Sequence, residues 1–170
     1  MQATHNQAPE PRPDRPRFPN GYGVPKSPAG LLPWSHADAR LTEARTYWVG
    51  TILPDGSPHA VPLWGVWFDR HLYFGTDPET RTARNLLQNP EVVAHLESGD
   101  DVVILKGAAA QVTDLEVLKR VAKLGAAKYG GMVSEDEEGS AHPAFALKPR
   151  VVYAWTNLAK DATRWRLVTD

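Results

Sequence analysis

The chain has 170 residues, 42% hydrophobic and 23% charged, enough for one core of ordinary size and cramped for two independent domains. Its 19 Lys and Arg against 20 Asp and Glu leave a formal charge of −1, so no net field recruits nucleic acid. With no cysteine there is no thiolate catalysis, disulfide or thiolate metal site. No apolar run approaches the roughly 20 residues of a membrane span, and the polar start lacks a signal-like apolar stretch, so a cytoplasmic protein is expected.

Residues 1–34 form a proline-rich arm in which Arg12, Arg15 and Arg17 alternate with Pro11, Pro13 and Pro16. Such a stretch has few donors and little to bury. Phe18, Tyr22, Leu31, Leu32 and Trp34 give its second half something to pack, and residues 35–170 are expected to make one domain. Ser35 is placed to cap a short helix over His36–Ala44. A strand over Thr46–Leu53, the turn Pro54-Asp55-Gly56 and a returning strand over Ser57–Phe68 make a hairpin. Pro58 and Pro62 cannot donate to a ladder, which makes the returning strand bulged or edge-like.

Asp69-Arg70-His71 turns the chain into a strand over Leu72–Thr76. A helix follows over Pro78–Gln88, with Asp77 as its cap and Asn89-Pro90 as its stop. Strands are expected at Val92–Glu97 and Val102–Val112, the second carrying small residues from Gly107 to Ala110 that mark close backbone approach. Asp114 caps a helix to Tyr129, with Leu115, Leu118, Ala122, Ala126 and Tyr129 on one face. An acidic solvated loop spans Gly130–His142, and strands at Ala144–Leu147, Val151–Trp155 and Thr163–Val168 complete the chain. Many strands with few helices imply a mainly β, antiparallel barrel with helices at its ends.

Two stretches carry candidate chemistry. Where the strand ending at Gly75 and Thr76 feeds the next helix, Thr80, Arg81, Thr82 and Arg84 gather hydroxyls and guanidinium groups at a helix start. Free amides and the helix dipole there favour an anion, and arginine adds a bidentate fork for phosphate. The same residues also suit a plain capped helix whose arginines pair with Asp77 and Glu79. The second stretch is His59, Ala60, Val61, Pro62, Leu63 and Trp64, where the prolines leave main-chain groups free for the edge of a planar ligand or, equally, for solvent along an edge strand. The tryptophans read first as core or interface anchors. The six histidines show no ligand spacing, so no metal is expected, and no nucleophile–base pair can be read.

From Tyr47 to Gly107 the order of pieces resembles the flavin-binding split barrel of pyridoxamine 5′-phosphate oxidase and the flavin/deazaflavin-dependent oxidoreductases. The pieces are a turn with Asp55-Gly56, a strand with Pro58, a strand ending in Thr76, then Thr80-Arg81 with Leu86 and Asn89-Pro90, and a strand ending in Gly107. The resemblance implies an antiparallel split barrel and a homodimer with cofactor at its interface. FMN is the expected cofactor and coenzyme F420 the alternative, with hydride passing to or from a small organic substrate.

By position, the resemblance puts the ring along His59–Trp64, Gly75 and Thr76 beside it, and the phosphate on Thr80, Arg81, Thr82 and Arg84. Val102 would approach from the partner protomer, with Trp155 and Arg164 at the shared site. Thr82 stands where the oxidase proper has lysine, and only Arg164 remains of its terminal histidine–arginine pair. Both departures favour the broader reductase branch over pyridoxamine-phosphate oxidation. Because the cofactor carries the hydride chemistry, no catalytic residue is assigned. A haem-binding barrel and a non-catalytic flavin binder are the other readings.

Overall fold

The computed structural model describes residues 9–130 and 143–167. The acidic loop expected after Gly130, the first residues of the arm and Val168 lie outside them. Nine strands and four helices appear in the order β1 (Pro13–Asp14), α1 (Trp34–Glu43), β2 (Tyr47–Ile52), β3 (Pro58–Leu63), β4 (Gly65–Phe68), β5 (His71–Gly75), α2 (Arg81–Gln88), β6 (Glu91–His95), β7 (Val102–Gln111), α3 (Leu115–Tyr129), β8 (Ala144–Trp155), α4 (Leu158–Asp161) and β9 (Thr163–Arg166). All pairings are antiparallel, and the main path runs β1-β9-β8-β7-β6-β2-β3. The twelve-residue β8 lies along β7 on one side. On its other side its first part holds β5 and its last part holds β9. β3 and β4, though consecutive, do not pair. The sheet curls without closing, so this is a split barrel.

Tyr47, Val49, Leu72, Phe74, Val103, Leu105, Leu147, Val152 and Trp165 fill the interior, closed at one end by Trp34 and Leu41 of α1 and beside α2 by Leu86. A smaller apolar layer of Val66, Phe68 and Tyr73 lies under Val117, Val121 and Leu124 of α3. These are not the residues the spacing assigned to the α3 face. Leu115 is 70% exposed because β4 and β5 present their outer side to the 117–121–124 stripe.

Other boundaries differ for physical reasons. α1 starts two residues early, at Trp34 with Pro33 before it, because the Trp34 ring packs edge-on against buried Trp165 at 5.5 Å. α2 starts three residues late. The Asp77 carboxylate accepts from the Glu79 amide to make a turn, while Thr80 caps the helix through the Ala83 amide. The long strand expected over Ser57–Phe68 breaks at Trp64, where the chain leaves β2 to pair with β5. A Cβ at Gly65 would stand 2.7 Å from the Tyr73 carbonyl oxygen, so only glycine allows that corner. The two strands expected from Ala144 to Trp155 are one. Arg150 is the unpaired extra residue of a bulge that admits Pro149, and a Cβ on facing Gly107 would meet the Lys148 oxygen at 2.1 Å.

Candidate functional site

β3 is an edge strand and is not bulged: Pro58 to Leu63 face Ile52 to Tyr47 in unbroken register. The Ser57 carbonyl bonds the Leu53 amide across the turn, so alternation turns the main-chain groups of Pro58, Ala60 and Pro62 away from β2. Both prolines therefore occupy positions where no donor is missed. The Ala60 amide and the carbonyls of Pro58, Ala60 and Pro62 line an open edge, while His59, Val61 and Leu63 are half-buried beside it.

His59 lies opposite Thr51, and its Nε2 is 3.3 Å from Thr82 Oγ1 in the first turn of α2. One turn further, Asn85 Nδ2 donates to Thr51 Oγ1 at 3.0 Å, and Asn85 Oδ1 is buried with no hydrogen-bond partner. Thr76, just past β5, shares a 2.7 Å hydrogen bond with Thr80 Oγ1. Of the five buried polar side chains among the described residues, Thr51, Thr76, Thr82 and Asn85 all gather here. Buried polar groups carry a desolvation cost, so their concentration at one end of an apolar barrel marks a place built for polar work.

Arg81 and Arg84 are exposed on the same turn, and among the described residues neither forms an ion pair. Asp77 and Glu79 do not take them, which removes the plain-helix alternative in which those acids held the arginines. The later start of α2 also moves Arg81 and Thr82 into its first two positions, whose amides have no partner inside the helix. At the end of β5 a Cβ added to Gly75 would meet nothing within 4 Å. Hydroxyls, two guanidinium groups without an ion pair among the described residues, an imidazole, helix-start amides, a free strand edge and the open space at Gly75 are a donor set and space that fit a phosphate carrying a planar ring.

Val102, Trp155 and Arg164 form a separate group. Val102 and Trp155 are direct register partners, and Arg164 faces Tyr153 on the neighbouring row. Both oxygens of Asp14 in the arm hold the Arg164 guanidinium, at 2.8 and 2.7 Å, and the arginine side chain is only 13% exposed. The Arg164 bond lowers the Asp14 pKa, with Arg166 adding to the effect. Arg15 anchors the same arm by donating to the carbonyls of Ser27, Ala29, Lys160 and Ala162. Among the described residues no side-chain hydrogen bond or ion pair joins this group to the α2 site.

The family model described as pyridoxamine 5′-phosphate oxidase matches residues 34–156. The chain belongs to this family. A conserved hypothetical protein of Mycobacterium tuberculosis is similar at 25% identity, with 80% of this chain and 92% of that one covered and a TM-score of 0.67. An F420 reductase shares the fold at 21% identity, 74% and 98% coverage and a TM-score of 0.56. A heme binding protein from Mycobacterium smegmatis does so at 14% identity, 75% and 56% coverage and a TM-score of 0.61. No curated protein matches the sequence.

Within this family frame, the contributions of Thr51 and Asn85 were missed by sequence reasoning, because each reads locally as ordinary strand or helix. Arg45, Tyr47, Lys128 and Tyr129 were missed as a group. Trp64 leaves the β3 edge and stacks on Tyr129 with centroids 4.6 Å apart, and the Arg45 guanidinium stands 5.7 Å from one ring centre and 5.4 Å from the other. Lys128 Nζ donates to Tyr47 Oη and the Gly65 carbonyl, each at 3.0 Å. Burial without a carboxylate partner lowers the Lys128 pKa to about 8. No spacing rule joins the α1–β2 connection, the β3–β4 corner and the end of α3. Among the described residues no helix is long and apolar enough to cross a membrane.

Proposed function

We propose that this protein is a flavin- or deazaflavin-dependent oxidoreductase that moves a hydride between its bound cofactor and a small organic substrate. FMN is the favoured cofactor and coenzyme F420 the alternative. The observation that carries the reading is the gathering of Thr51, His59, Thr76, Thr82 and Asn85 beside an open strand edge and two arginines that form no ion pair among the described residues. Arg81, Arg84, Thr80 and Thr82 would hold the phosphate, and the Ala60 amide with the neighbouring carbonyls would meet the ring's polar edge. The cofactor supplies hydride chemistry; the chain binds, orients and shields it. Families of shared fold host different chemistry, so the residues carry the assignment.

The proposal includes a homodimer. Trp34, Trp67 and Trp165 are in the core, but Trp48, Trp64 and Trp155 are not. Register aligns Trp48, His95, Ile104, Tyr153 and Arg164 in one row across the outer face of β2, β6, β7, β8 and β9. An aromatic face of this kind is suited to a second copy, which would bring Val102 and Trp155 to its partner's site.

The test is the absorption spectrum and mass of the small molecule that copurifies, followed by cofactor titration of wild type and Arg81→Ala. Arg81 is exposed, so its loss should weaken FMN binding by about 1–2 kcal/mol, roughly 5- to 30-fold, with Arg84→Ala costing less. Unchanged FMN affinity removes the phosphate site. A Soret band from a tightly bound haem favours the haem reading, and a flavin that no donor reduces favours a non-catalytic binder.

A further inference from the structure

The β3 edge runs from His59, beside the helix-start arginines, to the corner at Trp64. Five strand residues cover about 16 Å, close to the length of a phosphate-bearing planar cofactor. A ring laid along this edge from a phosphate at α2 therefore ends near the Trp64 corner. There, Trp64 is 41% exposed, with one face resting on Tyr129. Arg45 is exposed beside both rings, and no carboxylate among the described residues pairs with it or with Lys128. The Tyr129 hydroxyl lies 2.8 Å from the carbonyls of both Arg45 and Gly65, so the backbone carrying the arginine is fixed. Two positive charges therefore stand beside an open indole, and no carboxylate among the described residues offsets them.

We propose that Arg45 and Trp64, backed by Lys128 and Tyr129, form a recognition subsite for a planar organic anion, of the aromatic carboxylate class. The ligand's ring stacks on the free face of Trp64, its carboxylate takes the Arg45 fork, and Lys128 adds a second positive charge from behind the stack. As the substrate end of the cofactor site this assignment rests on the flavin reading above. As a binding site it does not.

Calorimetric titration with naphthalene-2-carboxylate and its neutral carboxamide tests it on the full chain as purified. The carboxylate should bind at least tenfold more tightly than the amide. Arg45→Gln should remove at least fivefold from the carboxylate and leave the amide unchanged, whereas Trp64→Ala should weaken both. Lys128 faces Tyr47 of β2, the Gly65 carbonyl of β4 and Tyr129 of its own helix; burial raises both tyrosine pKa values, so the lysine is the group that titrates first. Carboxylate binding should accordingly weaken from pH 7 to 9 in wild type and stay level in Lys128→Gln. Equal binding of carboxylate and amide, or an Arg45→Gln protein that binds as wild type does, overturns the proposal. Arg81→Ala separates the two readings: it should lower FMN affinity and leave naphthalene-2-carboxylate binding intact. If neither FMN nor coenzyme F420 binds wild type while the carboxylate binds as stated, the cofactor reading falls and the subsite stands.

Discussion

Replacing Gly75 with valine tests the cofactor site apart from the fold. Gly75 ends β5 opposite Ala144, its φ is not among the positive glycine values, and an added Cβ meets no protein atom within 4 Å. A strand glycine costs about 0.5–1 kcal/mol relative to a residue with a side chain, so Gly75→Val should leave stability unchanged or raise it by about that amount. In a chain of this size that is an upward Tm shift of at most about 2–4 °C. The valine carbons would instead occupy the space beside Thr76 proposed for the cofactor. Forcing extra methyl groups into a filled site costs about 1–3 kcal/mol, or about 5- to 150-fold in FMN affinity. Differential scanning fluorimetry of the cofactor-free protein and FMN fluorescence titration read the two effects separately. Wild-type FMN affinity in Gly75→Val would refute the placement of the cofactor at this strand end, and a Tm lowered by several degrees would refute the open space.

Asp14→Asn should release the arm, and faster tryptic cleavage after Arg17 checks it. Because the Arg164 bond lowers the Asp14 pKa, its stabilisation is present above the ordinary aspartate range and is lost as pH falls through the lowered folded value. Gly107→Ala should cost about 3 kcal/mol or more, read as a collapsed urea midpoint, since its Cβ would lie 2.1 Å from a backbone oxygen that cannot retreat. Lys128 has the same sign of linkage as Asp14, in a higher pH window. Its folded pKa of about 8 lies below the unfolded value, so the unfolded chain binds more protons between about 8 and 10.5. Wild type should therefore gain stability relative to Lys128→Met as pH rises through that window, and parallel pH–stability curves for the two proteins would contradict it.

Much of the β architecture was legible because its signals are local. Asp55-Gly56 marks a hairpin, Asp114 caps α3 through the Glu116 and Val117 amides, and the small run at Gly107 marks a close approach. The prolines of β3 correctly announced an edge. The start of α2 was misplaced because Asp77 and Thr80 are both competent caps, and only the local hydrogen bonds choose between them. The α3 face was read in part: Tyr129 is buried, but Leu115 is exposed, because apolar residues surround much of that helix and its partner strands select the 117–121–124 stripe.

What the sequence by itself determined is the set of short-range choices: turns, caps, alternation, and an arginine-bearing helix start beside two threonines. Those depend on a few neighbouring residues and on dihedral and hydrogen-bond preferences that act locally. The tertiary structure alone decided that Thr51 and Asn85 join His59 and Thr82, since side chains 34 residues apart meet only after α2 packs on β2. It alone turned Arg164 towards Asp14, 150 residues away, and brought Arg45 to Trp64 and Tyr129 at the corner that Gly65 permits. Such meetings depend on which faces the barrel buries together, and no local preference along the chain encodes that choice.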